Sequence, residues 1–190
     1  MNGRLLASRL DPYAEAEAWL DKRSLLLDRV RGVFVLGAGS GYHLQALWKR
    51  TDAQILVIER EADLARAVHS LFPESKERVE WIMAQDLSDV RTDKTVRKAI
   101  AQSFVVLEHY PSQFDHPEFY QECKRLLVGR NWGSLTWQWK LKGLPALDET
   151  PRVSQTGEPL SIYDLEQTEL VQNSDEREKL LIKALRELVK

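Results

Sequence analysis

The stretch "GVFVLGAGSGYHLQALWKRTDAQILVIERE", Gly32–Glu61, places two apolar runs on either side of a turn that holds three glycines. The runs "VFVL" (33–36) and "ILVI" (55–58) are apolar at every position, which is typical of strands buried on both faces of a parallel sheet. Between them, Leu44 and Leu47 have helical spacing. A strand, a turn, a helix and a second strand form a βαβ unit, so this stretch predicts a parallel α/β fold.

The alternation of strand and helix signals continues after this unit. The further β-rich runs are "VEWIM" (79–83), "FVVL" (104–107) and "SLTWQW" (134–139), and segments with helical spacing separate them. Right-handed crossovers between parallel strands place helices on both faces of a sheet. The sequence therefore predicts a three-layer, doubly wound α/β fold with five mainly parallel strands.

The two ends of the chain carry further elements. A helix is predicted over residues 12–30, with Asp11 as its N-cap and Pro12 as its first residue. The proline-bearing stretch 142–173 is too long for a simple connection, and a helix is predicted over 175–189. We expect one domain over residues 1–190, made of an N-terminal helical extension (1–31), a nucleotide-binding core (32–141), and an arm with a C-terminal helix (142–190).

Composition excludes several classes of function. The chain has 190 residues, 43% of them hydrophobic, and a formal net charge of -2, which argues against general binding of nucleic acids. No apolar run approaches the ~20 residues of a membrane span. Cys123 has no partner for a disulfide, so we expect a buried thiol and a reducing, cytoplasmic setting. His69 and His116 lack the spacing of metal ligands, so no metal site is predicted.

The glycine spacing narrows the choice of ligand. The dinucleotide-binding pattern G-x-G-x-x-G would need a glycine where the chain has Tyr42 or Leu44, and no Gly-Lys-Ser/Thr of a P-loop follows. The turn instead reads G-x-G-x-G over residues 37–41 and opens a helix whose first N–H groups are free. Glu59 ends the second strand, where a carboxylate can accept both hydroxyls of a ribose.

This combination resembles the S-adenosylmethionine-dependent methyltransferase superfamily, which pairs a G-x-G-x-G turn with an acid at the end of the next strand. Asp86, just beyond the third strand, matches the superfamily's acidic residue near the adenine. The resemblance implies a Rossmann-like methyltransferase fold, here without the last two strands, and S-adenosyl-L-methionine as cofactor. The implied cofactor-binding residues are Gly37, Ala38, Gly39, Gly41, Tyr42, His43, Glu59, Arg60, Gln85, Asp86 and Leu87.

The end of the fourth strand is where doubly wound sheets bind ligands, and it reads "LEHYPS". Glu108, His109 and Tyr110 are candidates for a base, a proton shuttle and a stacking surface acting on a small-molecule acceptor. The Asn/Asp-Pro-Pro-Tyr-like motif of many nitrogen methyltransferases is not present. By itself, His43 near a helix start reads most simply as a solvated first-turn residue.

A second resemblance extends over "GAGSGYHLQAL", "VIERE" and "HYPSQFDHPEFYQECKRLL". These segments are similar to the N-terminal methyltransferase-like domain of motility-associated-factor proteins, a glycosyltransferase-like family of bacterial flagellin glycosylation. Two functions follow from the two resemblances. One is a methyltransferase acting on a small molecule, and the other is a methyltransferase-like binding domain without transfer activity that serves glycan modification.

The run 134–139 also predicts an interface. Leu135, Trp137 and Trp139 alternate with polar residues, which is the pattern of a strand with one apolar face. An open apolar edge invites pairing, and either the chain's own arm or a second copy could cover it. We therefore predict a homodimer whose contact includes the arm or the tryptophan strand.

Overall fold

Strands and helices alternate through residues 6–27, 30–71 and 78–144, which are the residues that the computed structural model describes. The strands are β1 (Gly32–Leu36), β2 (Gln54–Glu59), β3 (Val79–Met83) and β4 (Phe104–Glu108). The α-helices are α1 (Pro12–Asp21), α2 (Tyr42–Arg50), α3 (Ala62–Leu71), α4 (Leu87–Thr92), α5 (Lys94–Ile100), α6 (Tyr110–Gln113), α7 (Pro117–Val128) and α8 (Trp132–Leu141), and a short 3-10 helix spans Ser24–Leu26.

The four strands form one sheet in the order β3-β2-β1-β4, and every pair of neighbours is parallel. In the register of the sheet, Val35 of β1 lies between Val57 of β2 and Leu107 of β4. The strand order reverses between β1 and β4, which makes the carboxyl ends of these two strands the topological switch point where open α/β sheets bind ligands.

Both faces of the sheet are buried, as the apolar strands predict. On one face, Phe34 and Leu56 pack with residues of α4, α5 and α7. On the other face, Val33 and Ile55 pack with residues of α1, α2 and α3. The three-layer, doubly wound α/β fold is therefore confirmed, with four parallel strands among the described residues.

The first helix begins as predicted and ends earlier. The Asp11 side chain accepts a hydrogen bond from the Ala14 N–H at 2.8 Å, and Pro12 is the first helical residue. The helix stops at Asp21 rather than running to residue 30, and the 3-10 helix follows it. Buried Leu20 anchors α1 to the sheet, so this helix is a layer of the core rather than an appendage to it.

The predicted fifth strand over 134–139 is wrong, because these residues form helix α8. Gly129, in the left-handed conformation, ends α7, and the Asn131 side chain then accepts from the Ser134 N–H at 2.8 Å and starts α8. Trp139 is only 7% exposed. The apolar strand face on which the predicted homodimer rested is therefore absent, although the oligomeric state itself stays a prediction.

A buried glutamine of α8 holds this helix against the end of α7. The Gln138 amide donates to the carbonyl oxygens of Leu126 and Leu127, at 2.6 and 2.7 Å. These carbonyls belong to the last turn of α7, which has no partners within its own helix. Helical spacing from Ser134 to Gln138 places both on the buried side of α8.

Other predictions concern residues outside those described. The arm over 142–173, beyond Leu144, and the C-terminal helix over 175–189 lie there, and the single domain over 1–190 stays a prediction.

Cys123 is buried and unpaired, as predicted, and burial raises the pKa of its thiol to about 12. No helix in the described ranges combines the length and apolar character that crossing a membrane requires.

We predict that Gln138→Leu lowers the free energy of unfolding by about 1–3 kcal/mol, the cost of leaving buried polar groups without partners. The substitution introduces an apolar side chain of similar size and removes the donor to the carbonyl oxygens of Leu126 and Leu127. Urea unfolding measures the effect. Lys140→Gln, on the exposed side of the same helix, is the control and should change stability little; an equal loss in the two variants would contradict this role of Gln138.

Candidate functional site

The glycine turn after β1 adopts a conformation that side chains rarely take. Gly37, Gly39 and Gly41 have φ angles of 96°, 50° and 87°, all in the left-handed region. Gly41 is also the N-cap of α2 and offers no side-chain acceptor to the free N–H groups of that helix. The turn therefore brings bare backbone to the carboxyl edge of the sheet.

The Glu59 carboxylate lies behind this turn and is 1% exposed. One carboxylate oxygen accepts from the Ala38 N–H at 2.7 Å. The other accepts from the N–H groups of Arg60 and Glu61, at 2.8 and 2.9 Å, and from the Tyr120 hydroxyl at 2.7 Å. A buried carboxylate needs such donors, so Glu59 joins the glycine turn, the end of β2 and helix α7.

Tyr120 is a residue that sequence reasoning missed as part of the site. Burial and the neighbouring Glu59 carboxylate raise the pKa of its hydroxyl, which therefore keeps its proton and donates a hydrogen bond to Glu59. The only sequence signal was its apolar helical pattern with Phe119 and Cys123, which predicts burial and says nothing of its partner.

The remaining cofactor candidates gather at the ends of β2 and β3. The Gln85 side-chain amide donates to the Arg60 carbonyl at 3.0 Å, which brings those two residues together. The exposed Asp86 is the N-cap of α4, and its carboxylate accepts from the N–H groups of Ser88 and Asp89. Leu87 begins that helix and packs on the core. The residues predicted to lie near the adenine are therefore neighbours, and one Asp86 carboxylate oxygen is used in a capping box; their role in binding stays a prediction.

On the other side of the turn, His109 and Ser112 occupy the space beside the glycines. A Cβ atom on Gly39 would lie 2.7 Å from His109 Cε1, and one on Gly37 would lie 2.4 Å from Ser112 Cβ. His109 Nδ1 and Ser112 Oγ are hydrogen-bonded to each other. Close packing against the end of β4 is therefore one reason why this turn needs glycine.

His43 and His109 stack face to face, with ring centroids 3.8 Å apart, and the Trp19 ring meets both of them edge-on. His43 is 2% exposed, so its interpretation as a solvated first-turn residue is wrong. Its Nε2 lies 3.2 Å from the Gly37 carbonyl oxygen, which can only accept, so Nε2 carries the proton.

Both histidines are neutral at pH 7. Burial, followed by the proximity of His109, lowers the pKa of His43 well below 6.5. Burial and the charge of Arg23 lower the pKa of His109 to about 4. Of the three candidate catalytic residues, His109 is therefore a weak base held in a packed position.

Glu108 and Tyr110 flank His109 in different surroundings. One carboxylate oxygen of Glu108 accepts from Lys124 Nζ at 2.5 Å and lies 3.4 Å from the Tyr110 hydroxyl. Its other oxygen is buried and has no hydrogen-bond partner in the described part of the chain. Tyr110 is 60% exposed. The Trp19 indole N–H donates to the Glu108 carbonyl at 3.1 Å and so fixes α1 against the end of β4.

A cleft of about 310 Å³ opens between α1 and the carboxyl ends of β1 and β4, and we call it the α1 cleft. Its lining includes Trp19, Lys22, Arg23, Tyr42, His109 and Tyr110. The sequence predicted Tyr42, His109 and Tyr110 as site residues. It predicted no site residue from α1, because that helix was expected to be an extension outside the core. Among the described residues, no group of three His, Cys, Asp or Glu side chains could hold a metal ion.

The fold and the turn define a Rossmann-like α/β domain, and comparisons with known proteins agree with part of the resemblance. A family model described as "Glycosyltransferase Maf N-terminal domain" matches residues 7–74, which include α1, the glycine turn and Glu59. The match covers a little over a third of the chain, and the Tyr110-Pro111-Ser112 segment lies outside it.

Comparison with solved structures gives a weak similarity. One structure, described as the crystal structure of the N-terminal domain of EvdMO1 with SAH bound, is 24% identical, with a TM-score of 0.33. The similarity covers 47% of this chain and 34% of that chain, so this chain spans about a third of its length. The search of curated proteins found no match.

We predict that the histidine stack makes stability depend on pH. As the pH falls, histidines of the unfolded chain bind protons near pH 6.5, whereas His109 in the folded chain binds one only near pH 4. The stability that comes from this difference is therefore complete above pH 6.5 and is lost as the pH falls toward about 4. Between pH 7 and about 4.5, the wild type should lose on the order of 2 kcal/mol more than His109→Gln. Urea unfolding at both pH values measures this difference, and His69→Gln should keep the wild-type dependence; equal losses in wild type and His109→Gln would contradict it.

Proposed function

We propose that this chain is a methyltransferase-like binding domain that holds an adenosyl ligand of the S-adenosylmethionine type without transferring its methyl group. The observation that carries the proposal is the hydrogen bond from the Ala38 N–H to Glu59, 2.7 Å long, which joins the glycine turn to the acid at the end of β2. Both lie at the carboxyl edge of a parallel sheet, the edge where such sheets bind nucleotides. The "Glycosyltransferase Maf N-terminal domain" match over this segment is consistent with a domain associated with glycan modification.

The contacts of Glu59 indicate how a ribose would enter. The backbone N–H groups of Ala38, Arg60 and Glu61 hold the carboxylate in place, whereas the fourth donor is the Tyr120 side chain. A ribose hydroxyl is chemically equivalent to the Tyr120 hydroxyl as a donor. Binding therefore exchanges one hydroxyl for another at Glu59 and leaves the backbone contacts unchanged.

The end of β4 supports binding without transfer. Lys124 neutralises the Glu108 carboxylate, and His109 is packed beside Gly39 with a pKa of about 4. His109 is therefore not poised to accept a proton near pH 7, because a general base works best with a pKa close to the operating pH. These groups contribute to packing and orientation in the proposed function.

Transfer to a small-molecule acceptor is the second candidate, and one observation favours it. The buried Glu108 oxygen, which has no hydrogen-bond partner among the described residues, could accept a hydrogen bond from an acceptor molecule. Mass spectrometry for S-adenosylhomocysteine formed from S-adenosylmethionine, in the presence of a pool of small metabolites, distinguishes the candidates. Product that depends on Glu108 in a comparison with Glu108→Gln would favour transfer.

We predict that Tyr120→Phe binds S-adenosylhomocysteine about tenfold more tightly than the wild type, because the ribose no longer competes with the tyrosine hydroxyl for Glu59. Calorimetric titration measures the affinity, with Tyr13→Phe, whose side chain is exposed, as the matched control. Glu59→Ala is less informative, since loss of a buried carboxylate with four donors should destabilise the fold by about 3 kcal/mol or more.

The Tyr120→Phe variant also tests whether a ribose hydroxyl replaces the Tyr120 hydroxyl at Glu59. Tyr120→Phe should lose about 1.5–3 kcal/mol of stability, the value of a hydrogen bond to a charged group. A variant that loses this stability yet binds with unchanged affinity would show that the ribose does not replace Tyr120. If neither the wild type nor Tyr120→Phe binds S-adenosylmethionine or S-adenosylhomocysteine, the proposed ligand is wrong.

A further inference from the structure

The α1 cleft has a positively charged wall. Lys22 and Arg23, at the end of α1, line it, and Glu15 is the acidic residue of the lining. The Glu15 carboxylate accepts from the Ser8 N–H at 2.5 Å. The cleft therefore carries more positive than negative charge, although the whole chain has a net charge of -2.

Within the part of the chain that the structure describes, most donors of the Arg23 guanidinium have no hydrogen-bond partner. Its Nη1 donates to the Trp19 carbonyl at 2.6 Å, and its Cζ lies 4.5 Å from the centroid of the Trp19 ring. No carboxylate of the described residues forms an ion pair with it; the nearby Glu108 is bound by Lys124. An arginine presents five N–H donors in a fork that suits a carboxylate or phosphate. Burial lowers the pKa of Arg23, although the nearby Tyr110 and Glu108 act in the opposite direction.

Aromatic side chains form another part of the lining of the cleft. Trp19 and Tyr42 line it together with Tyr110, whose side chain is exposed. The Tyr13 ring packs edge-on against Tyr42, with centroids 4.8 Å apart, and supports that side of the wall. Aromatic faces of this kind stack on flat rings and give apolar contact without charge. The stacked histidines at the base add polar edges but no charge near pH 7.

We propose that the α1 cleft binds a small molecule in which a carboxylate or phosphate group is carried on a flat ring. Arg23 takes the anionic group, with Lys22 at the rim, and the aromatic wall takes the ring. The cleft lies on the other side of the glycine turn from Glu59, and its lining includes Tyr42 and His43, which the resemblance implies as cofactor-binding residues. Glu59 is bound by Tyr120 of α7, whereas α1 and α2 line the cleft from the opposite face of the sheet.

The probes for this site are phenyl phosphate and benzoate, with benzyl alcohol and inorganic phosphate as single-feature controls. Titration of the wild-type chain, followed by the indole N–H signal of Trp19 in NMR spectra, should show saturable binding of one or both ring anions. Whichever of the two binds more tightly identifies the anionic group. Raising the salt concentration from about 50 mM to about 500 mM should weaken binding severalfold.

We predict that Arg23→Gln weakens binding of the ring anion about tenfold. Arg97→Gln, which removes an exposed arginine of α5 on the other face of the sheet, should leave it unchanged. Arg23→Lys keeps the positive charge but lacks the forked N–H donors of the guanidinium, so its affinity for the ring anion should lie between those of the wild type and Arg23→Gln. Bound anion should also raise the pKa of His109, because it offsets the charge of Arg23.

Several results would overturn this inference. Benzyl alcohol that binds as tightly as phenyl phosphate would remove the role of the anion, and inorganic phosphate that binds as tightly would remove the role of the ring. No saturable binding of either ring anion up to about 10 mM would refute the site. These comparisons use the wild-type chain, so they stand even if Arg23→Gln does not fold, and their outcome does not depend on S-adenosylmethionine binding.

Discussion

The buried carboxylate of Glu59 is the constraint on which the carboxyl edge of this domain depends. An ionised group that is 1% exposed is stable only if donors replace the water it has lost, and three backbone N–H groups and one hydroxyl do so here. Those donors come from the glycine turn, the end of β2 and helix α7. Because one side chain needs all of them, the position of each segment is tied to the other two.

The glycine turn separates two environments of opposite character. Toward α7, the Glu59 carboxylate is fully hydrogen-bonded within the protein, and the proposed adenosyl ligand would have to replace the Tyr120 hydroxyl. Toward α1, Arg23 has donors without a partner among the described residues, and Tyr110 is exposed. His109 stands at the boundary, since it contacts Gly39 on one side and stacks on His43 on the other.

Most of the sheet follows from patterns that are local in the chain. The four parallel strands match the predicted apolar runs, and Asp11 and Pro12 start α1 as their chemistry predicts. The fifth strand failed because residues 134–139 satisfy a two-residue apolar period while their flanks favour a helix. Gly129 ends α7 and Asn131 starts α8, so this helix signal was present in the sequence but outweighed by the tryptophan alternation.

By itself, the sequence determined the parallel α/β fold, the glycine turn and the acid at the end of β2, because apolar period, turn chemistry and strand ends depend on neighbouring residues. Only the tertiary structure decided what those groups contact. Glu59 meets Tyr120, which lies 61 positions later, and Trp19 meets the Glu108 carbonyl 89 positions away. Such pairings depend on how helices from distant parts of the chain pack on the two faces of the sheet, and no local pattern encodes that packing. For the same reason, the burial of His43 and the charged wall of the α1 cleft became visible only in the folded chain.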